Sequence, residues 1–422
     1  MNITSSASRI YQRLDIIPAI RAFIVPLILV DFTFFPMFHL GNIPWKPGYL
    51  AIVFISVWVV ATGRRNAIKG DRLTFLVLFG VLATTVMIGS FVFYMQTDVA
   101  PSNDTARSIS IFIMAPAAFI VGTWVTPRTY HFVIWLMVAF LGLNLFLEVF
   151  HDDFDWLMSF YGLGPQLSRE YYETRAVGVF ANPNITALTT TILLIFVLAG
   201  RKSGGKGFAR FDFVIASWVA AATAVLMVSR NQFAAVGLLA AFAALRTGLR
   251  AAWRQSIILL ALVLAIFVVA YAANDPIEDA IGFNPQVRLV ERLQLGLQGE
   301  DSAKEDSVSR PLLYLTPAID RWSRSPIVGT GFESSEEFEA PNYHNDWLVV
   351  AASSGVIGLI AFTVVVYLLV RIEPLLLVLF VFPALTNSLV FAPQHLTAVM
   401  VLAGIAAMRQ EQKRSAPVVI SP

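Results

Sequence analysis

A histidine stands where a polar segment gives way to a long apolar run: Ala340-Pro-Asn-Tyr-His-Asn-Asp-Trp347, then Leu348 onward with scarcely a charge until Arg371. Near pH 7 a neutral imidazole is available, and it can take a proton from an attacking hydroxyl. The plainer reading of His344 is structural, with the ring satisfied by a carbonyl or an interfacial water. Asn345 is a good N-cap, and Asp346 suits a first helical turn, where negative charge meets the positive end of the dipole. The stretch Ser325-Pro-Ile-Val-Gly-Thr-Gly-Phe-Glu333 lies shortly upstream, in the longest polar segment of the chain. Beyond the histidine, Ala351 and Gly355, and Ser354 and Gly358, set small residues four apart, a spacing that lets another helix approach closely.

Arginines form the second set. Arg230 lies in Val228-Ser-Arg-Asn-Gln232 at the junction of two apolar runs, where snorkelling to the interface is the simple explanation. Together with Arg310 or Arg288 it has the chemistry to grip a phosphate or pyrophosphate through paired hydrogen bonds. Arg288 and Arg292, four apart, equally suit a solvated helix face. In Arg175-Ala-Val-Gly-Val-Phe-Ala-Asn-Pro-Asn184 the amides read as a turn and N-cap, or as contacts to a substrate head group beside Arg175. His39, His131, His151 and His395 fall in loops or at span ends and carry less. The run His151-Asp-Asp-Phe-Asp155 reads as a solvating loop with no second ligand set, so no metal and no other cofactor is expected. There is no P-loop, dinucleotide glycine fingerprint or serine elbow in a suitable context. The absence of cysteine excludes disulfides and thiolate chemistry.

The elements that must position these groups are membrane helices. Of 422 residues 57% are hydrophobic and 14% charged, with a mean hydropathy of +0.69; a soluble domain carries about 25% charged residues. Segments near 20 apolar residues, the length of a span, fall at about 17–38, 47–63, 73–95, 108–126, 131–149, 184–200, 211–229, 231–247, 254–273, 345–370, 373–390 and 392–409. The expected fold is therefore an all-α polytopic membrane protein of about twelve spans, forming one integral membrane domain over 1–422. The first span reads as retained rather than as a cleaved signal peptide.

Most of the basic residues gather in alternate connections: Arg9, Arg13 and Arg21; Arg64, Arg65, Lys69 and Arg72; Arg128; Arg201 to Arg210; Arg246 to Arg254; Arg371; and Arg409 to Arg414. Basic loops mark the cytoplasmic side, so both termini are expected there. His344, Arg230, Arg288, Arg292, Arg310, Arg321 and Arg324 then fall on the outer side. The segment 274–344 is too long for a plain connector. It reads as an outer loop with two short helices, 285–298 and 310–324, the second presenting Leu312, Leu315, Ile319 and Trp322 on one side. The first outer loop, about 39–46, holds no carboxylate.

Taken in order, Arg175…Gly178-Val-Phe-Ala-Asn-Pro-Asn184, Ser229-Arg230, Arg310 ahead of Ser325-Pro-Ile-Val-Gly-Thr-Gly331, and His344-Asn-Asp-Trp-Leu…Gly355-Val-Ile-Gly358 resemble the bacterial O-antigen ligase and polymerase superfamily over about 150–370. The resemblance implies a GT-C-like glycosyltransferase of the bacterial inner membrane with its site on the periplasmic face and the long loop preceding the tenth span. For the ligase branch it implies transfer of polysaccharide from undecaprenyl pyrophosphate to lipid A–core, among membrane lipids and with no nucleic acid involved. It implies His344 as the base, Arg230 and Arg310 on the pyrophosphate, and a looser substrate-binding set of Arg288, Arg175, Asn184, Arg292, Asn345 and Tyr343. Inversion at the anomeric carbon is expected. The rivals are an O-antigen polymerase or a protein O-oligosaccharyltransferase, which differ in acceptor. More distant is a lipid-linked glycan transporter, disfavoured because the two halves look unlike one another.

Overall fold

The computed structural model describes residues 38–40, 43–45, 70–98, 103–149, 183–201, 215–220, 222–223, 235–239, 314–333, 343, 345–381 and 393–415. Two short strands, β1 (Phe38–Leu40) and β2 (Ile43–Trp45), pair antiparallel with Leu40 opposite Ile43. The other described elements are helices: α1 (Asp71–Thr97), α2 (Asn103–Gly122), α3 (Pro127–Val149), α4 (Pro183–Arg201), α5 (Leu315–Arg324), α6 (Asp346–Ile372), α7 (Leu377–Val381) and α8 (Pro393–Ser415), with a 3₁₀ turn at Pro374–Leu376 before α7. The hairpin lies in the expected outer loop at about 39–46, and the other described elements bear out the all-helical expectation. The residues between its strands are Gly41-Asn42, a pair suited to a two-residue hairpin connection.

α1, α6 and the Thr129–Leu147 stretch of α3 are long and apolar enough to cross a membrane, and Ser108–Gly122 and Ile185–Gly200 are shorter apolar helices. These helices and α8 coincide with expected spans. The expected spans at 47–63 and 254–273, and that at 17–38 except for Phe38, lie outside the described residues, as does the expected helix at 285–298.

Ion pairs and capping contacts gather the connections expected to be cytoplasmic at one end of the bundle. Arg371 Nη2 donates to Asp71 Oδ1 at 2.6 Å, and Arg72 meets Glu411 at 3.5 Å. The Arg409 guanidinium lies 4.5 Å from the Tyr130 ring centroid and donates to the Ala199 carbonyl, while Gln410 donates to the Ile372 carbonyl. The ends of α1, α3, α4, α6 and α8 that the basic-loop pattern groups together are therefore neighbours. Packing between them is close: a Cβ on Gly122 would lie 2.2 Å from the Val401 carbonyl oxygen, and one on Gly404 2.1 Å from that of Phe119, so α2 and α8 touch backbone to backbone.

α6 is broken. At Gly355 the backbone takes φ 64° and ψ −165°, a region essentially restricted to glycine. The break frees carbonyls before it and amides after it, and buried backbone groups must find partners. The segment Ser325–Glu333 supplies them. Thr330 N and Gly331 N donate to the Ala352 and Ser353 carbonyls at 3.0 Å each, and Val356 N and Ile357 N donate to the Pro326 and Ile327 carbonyls at 2.9 and 3.2 Å. This strap, rather than a helix, fills the space beside Gly355, where a Cβ would lie 2.3 Å from the Ile327 carbonyl group. A second helix does approach one turn on, as the sequence spacing implies: α1 comes close through Thr85, whose Oγ1 would lie 3.3 Å from a Cβ on Gly358. Irregular backbone within a membrane bundle is tolerated only where protein satisfies it.

Gly355→Ala should therefore unfold at clearly lower temperature in detergent. The dihedral strain alone costs about 1–3 kcal/mol, and the clash with Ile327 adds to it. An unchanged thermal midpoint would show that the strap yields.

Candidate functional site

The strap ends in a buried polar cluster at the end of the bundle opposite the Arg371–Asp71 pair. Arg321, in the last turn of α5, is 1% exposed, and Glu333 is fully buried. Arg321 Nε donates to Thr330 Oγ1 at 2.7 Å, and its Nη2 donates to the Gly331 and Glu333 carbonyls at 3.3 and 2.5 Å. Thr330 Oγ1 in turn donates a hydrogen bond to the Ala352 carbonyl at the edge of the helix break. One guanidinium thus ties the strap to itself and, through Thr330, to α6. Its face lies 5.1 Å from the Phe93 ring of α1, a cation–π distance. Burial pulls the Arg321 guanidinium below its ordinary pKa, with Tyr343 and Glu333 acting in the opposite direction.

The Glu333 carboxylate is held from the membrane helices. Ser90 of α1 donates to Oε2 at 2.9 Å, Thr105 of α2 donates to Oε1, and the two hydroxyls are 3.1 Å apart. A Cβ at Gly331 would lie 2.1 Å from Ser90 Oγ, and Gly331 itself has φ 69°, so this close approach depends on glycine.

Immediately beyond the cluster stand the two neighbours of His344. Tyr343 is 5% exposed, with its ring 6.3 Å from that of Tyr314. Asn345 caps α6: its Oδ1 accepts from Trp347 N at 3.0 Å and Leu348 N at 3.2 Å. Trp347 packs edge-on against Phe362 at 4.8 Å and donates to the Phe380 carbonyl, fixing the first turns of α6 against the rest of the bundle. The residues on either side of position 344 are thus a buried tyrosine and a helix cap.

Of the residues singled out in sequence, His344, Arg230, Arg310, Arg288, Arg175 and Arg292 lie outside the described residues. Asn184 falls in the first turn of α4. Tyr343 and Asn345 are brought together beside the cluster, but Asn345 Oδ1 is committed to its cap. Arg321, Thr330, Glu333, Ser90 and Thr105 were not singled out. For Glu333 a signal existed, a carboxylate closing a stretch of small and apolar residues. Arg321 looked like one of several outer arginines, and two hydroxyls on distant helices carry no mark of their own.

Residues 215–363 match the family model described as O-antigen ligase. The match spans α5, the strap, position 344 and the broken half of α6, together with the segment holding Arg230, Arg288, Arg292 and Arg310. This match supports membership of the O-antigen ligase and polymerase superfamily. No curated protein matches it significantly. Ser90 and Thr105 lie outside the O-antigen ligase match, so the hydroxyls holding Glu333 come from the part of the chain that the family model does not reach.

Proposed function

We propose that this protein is an O-antigen ligase that moves a polysaccharide from undecaprenyl pyrophosphate to a sugar hydroxyl of lipid A–core at the periplasmic face of the bacterial inner membrane. The observation carrying this reading is the O-antigen ligase match over 215–363, which contains position 344. The buried Tyr343 and the Asn345 cap on either side of that position support it. So does the separation of the site from the basic connections, which gather at the other end of the bundle.

In this reading His344 takes the proton from the acceptor hydroxyl as its oxygen bonds to the anomeric carbon. The bond from that carbon to the pyrophosphate oxygen breaks, and the leaving group departs with the electron pair. Attack opposite the leaving group inverts the centre. Arg230 and Arg310, with Arg288 as a third, hold the pyrophosphate and stabilise its growing charge. Pyrophosphate is already a good leaving group, so fixed guanidinium donors meet the electrostatic demand. Arg230→Ala and Arg310→Ala should each lower the transfer rate about 10²–10³-fold at saturating acceptor. Near-wild-type rates in both would remove the pyrophosphate role.

The acceptor is tested with purified protein in liposomes, given the lipid-linked glycan and lipid A–core, a chelator and no nucleotide. A lipopolysaccharide ladder is expected. Lengthening of the lipid-linked glycans with lipid A–core ignored would make the protein a polymerase, and translocation without transfer would make it a transporter.

A further inference from the structure

Helix α5 carries a stripe of apolar side chains that its protein neighbours leave uncovered. At about 100° per residue, Leu315, Ile319 and Trp322 share one sector. Ala318 and Arg321, the buried residues, share the next, turned toward the bundle. Thr316, Asp320, Ser323 and Arg324 occupy the sector beyond the stripe, and all four are exposed. Leu315 and Ile319 are exposed too, Ile319 by 47%, as is Ile327 just after the helix, by 64%. The helix thus has three sides: one on protein, one apolar and open, one polar and open. That is the pattern of a helix lying in a membrane–water interface.

Two features of the fold say what covers the apolar side. The first is continuity with the side of α6 that faces lipid. The Ile327 carbonyl accepts from Ile357 N, and Ile357 belongs to the exposed apolar column Val356, Ile357, Ile360, Val364 and Tyr367 of that span. The second is depth. The strap meets α1 at Gly89 and Ser90, yet α1 goes on presenting exposed apolar side chains at Phe91, Tyr94 and Met95. With a rise of about 1.5 Å per residue, that apolar surface continues roughly 7–8 Å past the level of the strap, so the strap and Ile327 stand inside the apolar boundary. Trp322, whose Nε1 donates to the Pro326 carbonyl at 3.1 Å, is the residue type enriched at that boundary.

We propose that α5 is an in-plane interfacial helix whose stripe Leu315, Ile319, Trp322 and Ile327 is immersed in the acyl region of the bilayer, so that lipid itself seats the strap and the Arg321–Glu333 cluster against the broken span. The inference needs only a membrane-spanning chain and does not rest on the ligase reading. It places the cluster just inside the apolar boundary, with the cap of α6 about nine residues of helix beyond the break.

Because the chain contains no cysteine, single substitutions Ile319→Cys, Ile327→Cys, Asp320→Cys and Arg324→Cys each give one nitroxide site. All are at exposed positions, and Leu315→Cys is a second reporter should Ile319→Cys misfold. In liposomes free of polyprenyl lipid, collision with oxygen and with a water-soluble nickel chelate is measured at each label. Labels at 319 and 327 are expected to favour oxygen over nickel several-fold more than labels at 320 and 324. Equal nickel access at all four sites would overturn the proposal by placing the stripe in water. Labels at 319 and 327 that are immobilised and shielded from both reagents would overturn it by placing the stripe against protein.

Discussion

Arg321→Met should leave the protein severely destabilised, at about 1–3 kcal/mol for each buried acceptor left without its donor. The loss is large because several groups depend on one side chain. Without the guanidinium, the Gly331 and Glu333 carbonyls and the Thr330 hydroxyl lose their donor, and the Glu333 carboxylate loses its nearby positive charge while still enclosed. Arg321→Lys should recover little, since a single ammonium cannot span the acceptors that Nε and Nη2 reach together. Unfolding midpoints in detergent check both variants. A methionine variant as stable as wild type would mean that the strap is held by its backbone bonds to Ala352, Ser353, Pro326 and Ile327 alone.

His344→Ala should instead leave folding intact and lower transfer about 10²–10⁴-fold, the usual contribution of a positioned general base. Folding survives because the local structure is secured by the neighbours: Tyr343 is buried against Tyr314, and Asn345 caps α6 through its own side chain. The two variants separate position from chemistry. Losing Arg321 should lower the melting temperature and the amount of folded enzyme, whereas losing His344 should lower turnover per folded molecule.

Much of this was legible in the sequence because the membrane imposes simple rules. Apolar length located α1, α3 and α6, charge patterning grouped their basic ends, and Asn345 announced its cap. The helix break was not legible. Ala351 and Gly355 four apart in an apolar run look the same whether a helix or a loop comes alongside, and only the backbone at Gly355 distinguishes them. Arg321 was hidden for a related reason: its acceptors are mostly main-chain carbonyls, which every sequence has. The apolar side of α5 was readable at Leu315, Ile319 and Trp322, but periodicity cannot say what such a side faces. The hairpin at Phe38–Trp45 was missed although Gly41-Asn42 signalled it, since a short polar gap between spans reads by default as a loop.

The most direct test of the catalytic reading is the initial rate of glycan transfer to lipid A–core by wild type and His344→Ala in the same liposomes, at equal amounts of folded protein. A wild-type ladder that falls at least a hundredfold in the variant, with an unchanged melting temperature, is the expected result. Transfer by His344→Ala within a few-fold of wild type would contradict it and move the base elsewhere.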